Sequence, residues 1–184
     1  MTDLLDVNLL MSLAWPNHVH HRPAQRWFRA RSSQPWATTP VTESGFVRVS
    51  SNGTAIPAAV SPAEALQLLS RIRQVKGHVF LPDDVEGVIG EGHVPASRVV
   101  GYRLVTDAHL LAVARRHGAR LATLDRGVVA MAGGKAADVV LVPVPGGTQL
   151  RRDAEGTWVS EALHLKAGYD RRLRALSEFG CIRG

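Results

Sequence analysis

The sequence predicts an α/β domain built around a mostly parallel β-sheet. Short apolar segments of strand length alternate with amphipathic segments of helical length, as expected for strands joined by crossover helices. The first of these apolar segments is continuous rather than alternating, which is typical of a parallel strand buried on both faces. Carboxylates stand at the ends of two such segments, at Asp6 and at Asp125.

The composition restricts the class of protein. The chain has 184 residues, of which 45% are hydrophobic and 21% charged, as in globular domains. Its single cysteine, Cys181, excludes a disulfide-stapled fold and a cysteine-rich zinc site. The formal charge of +6, from 22 basic and 16 acidic residues, is compatible with an anionic partner such as nucleic acid without establishing one. The apolar run at 7–15 is far shorter than the roughly 20 residues of a membrane span. We therefore expect no membrane association and, by default, a cytoplasmic location.

Helix signals are clear at several points. Thr39 followed by Pro40 predicts a helix start, and that helix runs to about residue 49. Ser61 and Glu64 form a capping box ahead of an apolar stripe, and Gly77 ends this helix. A further helix begins after Thr106 and ends at Gly118. A surface helix over 18–31 and a helix or turn over 97–105 complete the set. The predicted strands are 4–7, 34–38, 78–82, 120–125 and 139–144.

These elements fill residues 1–145, which we predict to be the functional domain. After residue 145 the alternation of strands and helices stops. Residues 146–184 are predicted to be a C-terminal extension of unknown role, either a hairpin followed by an amphipathic helix near 163–176 or a poorly ordered tail.

Acidic side chains mark one edge of the predicted sheet. In a parallel α/β sheet, the carboxyl ends of the strands and the amino ends of the following helices meet at the edge where ligands bind. Clustered carboxylates repel one another, and Mg²⁺ or Mn²⁺ with oxygen ligands relieves the repulsion. Considered one at a time, Glu43, Asp107 and Asp125 have ordinary interpretations as helix-start or turn residues. The candidate set is Asp6, Glu43, Asp107 and Asp125.

Four blocks of sequence together resemble the successive motifs of PIN-domain proteins, and most closely those of VapC-type toxins. The blocks are LLDVNLL at 4–10, ATTPVTESGFVRV at 37–49, VTDAHLLAVA at 105–114 and LATLDRG at 121–127. The resemblance covers about residues 1–145, in the order of the family. It implies a three-layer α/β/α sandwich.

The resemblance also implies a function, which is that of a Mg²⁺- or Mn²⁺-dependent endoribonuclease. In that family an acidic quartet holds the metal, and a bound water attacks an RNA phosphodiester. Asn8 and Thr123 are carried over as site-shaping residues. The toxins of the family form homodimers and are silenced by a cognate antitoxin protein. The quartet corresponds here to Asp6, Glu43, Asp107 and Asp125.

From the residues alone, Asp6 and Asp107 are the best candidates for direct metal ligands. Asp125 and Glu43 then act through water, through a second metal or by orienting the nucleophile, and which carboxylate serves as base stays open. Arg126, beside Asp125, is a weaker candidate for contact with RNA phosphate.

Two other features of the sequence have ordinary structural interpretations. The histidines at 18, 20 and 21 lack a second cluster at zinc spacing, so we interpret them as a solvated turn. Trp27 and Phe28 are expected to pack their helix onto the sheet or onto a second copy, rather than to stack on bases.

Two other functions compete with the nuclease. The first is a non-catalytic regulatory module that binds RNA or protein and keeps the acidic pocket for structural reasons. The intact quartet argues against it. The second is an α/β switch phosphorylated on aspartate, which needs a lysine on the last strand, and 139–144 contains none.

Overall fold

A five-stranded parallel sheet forms the centre of the molecule. The computed structural model describes residues 1–56, 58–86, 94–133 and 137–144, together with the backbone of 150–152 and 158–160. The strand order is β3-β2-β1-β4-β5, and every neighbouring pair in this sheet is parallel. The predicted mostly parallel sheet is therefore confirmed. Its strands are β1 (Asp3–Leu5), β2 (Trp36–Thr38), β3 (His78–Phe80), β4 (Arg120–Thr123) and β5 (Val139–Leu141).

Helices cover both faces of this sheet. Leu5 belongs to one apolar cluster together with Trp36 and Phe46, whereas its neighbour Leu4 belongs to the opposite cluster together with Leu111. Successive strand residues point to opposite faces, so the two clusters lie on the two sides of the sheet. This is the expected three-layer α/β/α sandwich. The helices are α1 (Val7–Ala14), α2 (His21–Arg29), α3 (Pro40–Ser50), α4 (Pro62–Arg73), α5 (Leu104–Arg116) and α6 (Arg126–Met131), with a 3₁₀ turn at Ala96–Arg98.

Two helices went unpredicted, and both begin at a candidate acidic residue. Asp6 caps α1 by accepting the backbone N–H of Leu9, and Asp125 caps α6 by accepting that of Gly127. Every residue of α1 from Leu9 to Ala14 is buried, so the segment lacks the polar face that marks a helix in sequence. Helix α6 is only 6 residues long and too short for a periodic signal.

Close packing between α1 and α3 brings the first turn of α3 to the end of β1. A Cβ placed on Gly45 would lie 2.7 Å from Cγ2 of Val7, so only glycine allows this approach without a shift. Gly77 adopts a φ of 86°, which closes the turn between α4 and β3. These two glycines therefore help to set the positions of α3 and β3 around the site.

Two interpretations from the sequence need correction. Helix α5 begins at Leu104, so Thr106 and Asp107 lie inside its first turn and not ahead of it. The histidines do not form a solvated turn, because His20 and His21 are buried, and burial lowers the pKa of His18 to about 4. Helix α2 follows these histidines and packs on α1, which removes them from solvent.

The described aromatic packing agrees with the structural interpretation of α2. Phe28 is buried and meets Trp36 edge-on, with ring centroids 5.4 Å apart. Trp27 is half-buried and lies beneath the guanidinium of Arg31. Helix α2 is therefore packed against the sheet through Phe28.

Beyond residue 144 the structure describes one antiparallel pair, β6 (Leu150–Arg152) with β7 (Trp158–Ser160). The predicted amphipathic stretch at 163–176 and Cys181 lie outside the described residues. The boundary at 145 and the role of 146–184 thus stay predictions. Within the described residues, no helix is long and apolar enough to cross a membrane.

Candidate metal-binding active site

Asp6 is buried where β1 meets α1, at the carboxyl edge of the sheet, with a residue exposure of 2%. Its Oδ1 accepts the Leu9 N–H at 2.5 Å, and its Oδ2 accepts the Thr123 hydroxyl at 2.5 Å. Burial, the largest cause, and the nearby Asp125 carboxylate raise the pKa of Asp6 to about 6. Both hydrogen bonds act in the opposite direction, because they stabilise the ionised form.

Asp125 lies two residues after the end of β4, which is the strand next to β1, and it is exposed. Its Oδ1 accepts the backbone N–H of Gly127 at 2.7 Å, which starts α6. Its own N–H donates to Oγ1 of Thr123 at 3.0 Å. Since the same Thr123 hydroxyl donates to Asp6, one buried side chain links the two acidic residues.

Asp107 lies in the first turn of α5, and α5 is on the other side of the sheet from α1. Burial raises the pKa of Asp107 to about 7, and repulsion from Asp6 and Asp125 adds to the effect. The three aspartates are thus close enough to act on one another electrostatically. Two sheet strands and one helix from separate parts of the chain meet at this point.

Glu43 is held by a different set of partners. Thr38, at the end of β2, donates its hydroxyl to Oε1 of Glu43 at 2.6 Å. Nη1 of Arg73 lies 3.4 Å from Oε2 of Glu43. His78 Nε2 lies 2.8 Å from Oγ1 of Thr38. Because the single hydroxyl proton of Thr38 goes to Glu43, the Nε2–H of His78 donates to Thr38.

Burial and the charge of Arg73 lower the pKa of His78, and the Glu43 carboxylate acts in the opposite direction. Glu43 therefore rests in a network of Thr38, His78 and Arg73. The structure brings Asp6, Asp107 and Asp125 together, while Glu43 contacts the network of Thr38 and Arg73.

The two remaining residues predicted for this site take different positions. Asn8 lies exposed in the first turn of α1, and its backbone N–H is one of the donors that lower the pKa of Asp6. Arg126 is exposed at the first position of α6, directly after Asp125. Both residues border the acidic edge from the solvent side.

The donor set suits a hard divalent cation. Carboxylate oxygens are the preferred protein ligands of Mg²⁺ and Mn²⁺, and two of these carboxyl groups are destabilised in their charged form by burial and repulsion. In the part of the chain that the structure describes, no three His, Cys, Asp or Glu side chains already surround one point as ligands of a single ion.

Sequence reasoning missed the partners of Glu43. Thr38 carried an available signal, because it is a polar residue ending a strand, as Thr123 is. Arg73 and His78 carried none, since they are 30 and 35 residues away from Glu43 and reach it only through the packing of α4 and β3.

Comparison with known proteins agrees with the fold. The family model described as "PIN domain" matches residues 4–134. Ribonuclease VapC39 of Mycobacterium tuberculosis (strain ATCC 25618 / H37Rv) is 50% identical over 125 residues, which is 68% of this chain and 89% of that protein. Ribonuclease VapC38 of the same strain is 52% identical over 129 residues, covering 70% and 89% respectively. Ribonuclease VapC29 of the same strain is 40% identical over 143 residues, covering 78% and 98%. The chain therefore belongs to the PIN-domain family, among its VapC-type members.

Proposed function

We propose that the chain is a metal-dependent endoribonuclease that hydrolyses RNA phosphodiester bonds and acts as the toxin of a toxin–antitoxin pair. The observation that carries the proposal is the meeting of Asp6, Asp107 and Asp125 at the carboxyl edge of the sheet. It is supported by the similarity to proteins named as ribonucleases, at 50% identity and above. The non-catalytic alternative is not favoured by these relatives.

Asp6 and Asp107 are the residues we expect to hold the cation directly, with Asp125 and Glu43 acting through water or a second ion. When bound, Mg²⁺ or Mn²⁺ supplies positive charge that lowers the pKa of a coordinated water and offsets charge on the phosphate. Thr123 keeps Oδ2 of Asp6 oriented by a hydrogen bond of 2.5 Å. Arg126 is placed to contact a phosphate of the substrate.

Two properties of the acidic side chains bear on cation binding: the protonation of Asp6 and Asp107, and the position of Glu43. Asp6 and Asp107 have raised pKa values of about 6 and about 7, so below neutral pH they hold protons that must leave when a cation binds. Thr38 and Arg73 keep Glu43 next to the site.

The proposal includes the partners implied by the family. These are a cognate antitoxin protein that occupies the active-site groove and a second copy of the chain in a homodimer. We also propose a cytoplasmic location, where an RNA substrate is available. If a short reading frame lies directly upstream of this gene, co-expression with its product tests the first, with suppression of cleavage as the expected result. Sedimentation of the purified chain tests the second.

The activity is tested by cleavage of RNA with Mg²⁺ or Mn²⁺, with and without a chelator. We expect cleavage that the chelator abolishes, and a loss of about 100-fold or more in Asp6→Asn, as for removal of a group that stabilises transition-state charge. Leu66→Ala, an exposed position on α4, serves as the matched control. Full activity in Asp6→Asn, or activity indifferent to chelator, would contradict the proposal.

A further inference from the structure

Two consecutive hydrogen bonds join His78 to Glu43. Nε2 of His78 lies 2.8 Å from Oγ1 of Thr38, and that hydroxyl donates to Oε1 of Glu43 at 2.6 Å. The hydroxyl carries one proton and an ionised carboxylate can only accept, so the Nε2–H of His78 donates to Thr38. The three side chains therefore form one directed series of hydrogen bonds, from the imidazole to the carboxylate.

Thr38, the middle residue of this series, is fully buried, so water does not compete for its hydroxyl. A threonine hydroxyl rotates about its C–O bond and can direct its proton to different acceptors. The Nε2–H of His78 occupies a lone pair of this oxygen, which leaves the proton for Glu43. Hydrogen bonds that share a donor and acceptor in this way also strengthen one another in a low-dielectric interior. His78 thus fixes the direction in which Thr38 donates.

The fold holds the imidazole of His78 in place. The parallel register of β2 and β3 pairs Trp36 with His78, and their ring centroids lie 4.7 Å apart. Nε1 of Trp36 donates to the carbonyl of Lys76 at 3.2 Å, which fixes the indole beside the start of β3. Trp36 and Thr38 are two residues apart in β2 and share one face of the sheet. The ring that packs on Trp36 therefore also reaches Thr38.

The other oxygen of Glu43 has a weaker partner. Nη1 of Arg73 lies 3.4 Å from Oε2 of Glu43, and the Arg73 side chain is 44% exposed. Solvent screens an exposed ion pair of this length, so it orients the carboxylate only weakly. The bond from Thr38 is shorter, and its donor is fully buried. The orientation of Glu43 therefore depends mainly on Thr38, and through Thr38 on His78.

We propose that His78 is a positioning residue for Glu43 and that it acts through the hydroxyl of Thr38. In this role the imidazole contacts neither the RNA nor a cation. It fixes the hydroxyl, and the hydroxyl fixes the carboxylate. The inference rests on the proposed ribonuclease function and adds to it a residue outside the acidic quartet.

Two substitutions separate the hydrogen bond of His78 from its packing on Trp36. His78→Phe keeps an aromatic ring against the indole and removes the Nε2–H. His78→Gln removes the ring and keeps an N–H donor near the position of Nε2. We expect His78→Phe to lower kcat for RNA cleavage by roughly 3-fold to 10-fold, as for loss of one hydrogen bond, with KM unchanged. His78→Gln should retain most of kcat.

The matched control is His117→Phe, since His117 is also half-buried and bonded to a polar partner, Asp84, but follows the last residue of α5, far from the acidic edge. We expect this variant to keep the wild-type kcat. Thermal unfolding of all variants gives their stability, and His78→Gln should be less stable than His78→Phe because it loses the contact with Trp36. Activity that follows stability, retained in His78→Phe and lost in His78→Gln, would assign His78 a packing role and overturn the proposal.

A double-mutant cycle shows whether the effect of His78 passes through Thr38. Thr38→Val keeps the shape of the side chain and removes the hydroxyl, so it should lower kcat at least as much as His78→Phe does. In the Thr38→Val background, His78→Phe should then have no further effect on kcat. Losses that multiply in the double variant would mean that the two residues act independently, and would overturn the proposal.

NMR tests the same hydrogen bonds without any measurement of cleavage. Burial and the charge of Arg73 lower the pKa of His78 from its ordinary 6.5, so at pH 8 the ring is neutral and has one N–H. Long-range ¹H–¹⁵N spectra of the full chain should place this proton on Nε2. A proton on Nδ1 would make Thr38 the donor to His78 and would overturn the proposal, whatever the activity. A proton on Nε2 supports the positioning of Glu43 even in a chain that cleaves no RNA, a result that would contradict the proposed function alone.

Discussion

The hydroxyl of Thr123 donates a 2.5 Å hydrogen bond to Oδ2 of Asp6, across the boundary between the neighbouring strands β4 and β1. The same oxygen accepts the backbone N–H of Asp125 at 3.0 Å. Thr123 is fully buried, so these bonds have no competition from water. One hydroxyl therefore orients two of the acidic residues that we expect to work together.

Replacing Thr123 by valine keeps the shape of the side chain and removes the hydroxyl. We expect Thr123→Val to reduce Mn²⁺ affinity and RNA cleavage by roughly 10-fold to 100-fold, as for loss of a group that orients a metal ligand. Titration calorimetry and initial cleavage rates measure the two effects. Thr123→Ser, which keeps the hydroxyl, should restore most of both. Equal losses in the serine and valine variants would contradict the prediction, because the serine variant retains the hydroxyl.

The raised pKa of Asp107 predicts how stability changes with pH in the metal-free chain. The carboxyl has a pKa of about 7 when folded, against the ordinary 3.8, so between these values the folded state binds more protons than the unfolded state. Its contribution is therefore fully present below about pH 4 and is lost as the pH rises through 7. A shift of about three pKa units corresponds to at most about 4 kcal/mol.

Asp107→Asn removes this titration. We expect the variant to be more stable than wild type at pH 8, with a difference that shrinks towards pH 4. Urea unfolding of both proteins with chelator present, at several pH values, measures it. A difference in unfolding free energy that is constant across this range would contradict the prediction.

Cation binding should release protons below neutral pH. With pKa values of about 6 for Asp6 and about 7 for Asp107, both carboxyls are partly protonated at pH 6 and almost fully ionised at pH 8. We expect between one and two protons to leave per ion bound at pH 6 and close to none at pH 8. Calorimetry in buffers of different ionisation enthalpy gives the number. Release that is independent of pH would mean that these carboxyls are not the ligands.

Asp3, at the amino edge of the sheet, is predicted to matter for stability and not for catalysis. Its side chain is 3% exposed and pairs with Arg120 at 2.6 Å and with Arg31 at 2.9 Å. Because Asp3→Ala leaves two guanidinium groups unpaired, we expect a loss of about 3 kcal/mol in unfolding free energy.

The matched control for this prediction is Asp138→Ala, which breaks the more exposed pair with Arg115 and should cost about 1 kcal/mol or less. Cleavage by Asp3→Ala, measured well below its melting temperature, should stay near wild type. A large loss of activity in the folded variant would show that the amino edge is coupled to the site.

Much of the fold was predicted from patterns among residues that are close together in the sequence. The capping box of Ser61 with Glu64 and the start at Thr39 and Pro40 predicted α4 and α3, because a cap depends on residues only three positions apart. Strand ends predicted where Asp6 and Asp125 would lie, since parallel strands bring their carboxyl ends to one edge. Helix α1 was not predicted, because it is buried and has no polar face to mark it as a helix in the sequence.

The sequence alone thus established a parallel α/β sandwich with its acidic residues at one edge, because those properties follow from periodicity, capping and strand direction. The partners of each carboxylate came only from the folded chain. Thr123 meets Asp6 across 117 residues and Arg73 meets Glu43 across 30, because the sheet places β4 beside β1 and α4 packs on α3. Burial of Asp6 and Asp107, which raises their pKa values, likewise depends on both faces of the sheet being covered. Such contacts join residues distant along the chain, and no local pattern encodes them.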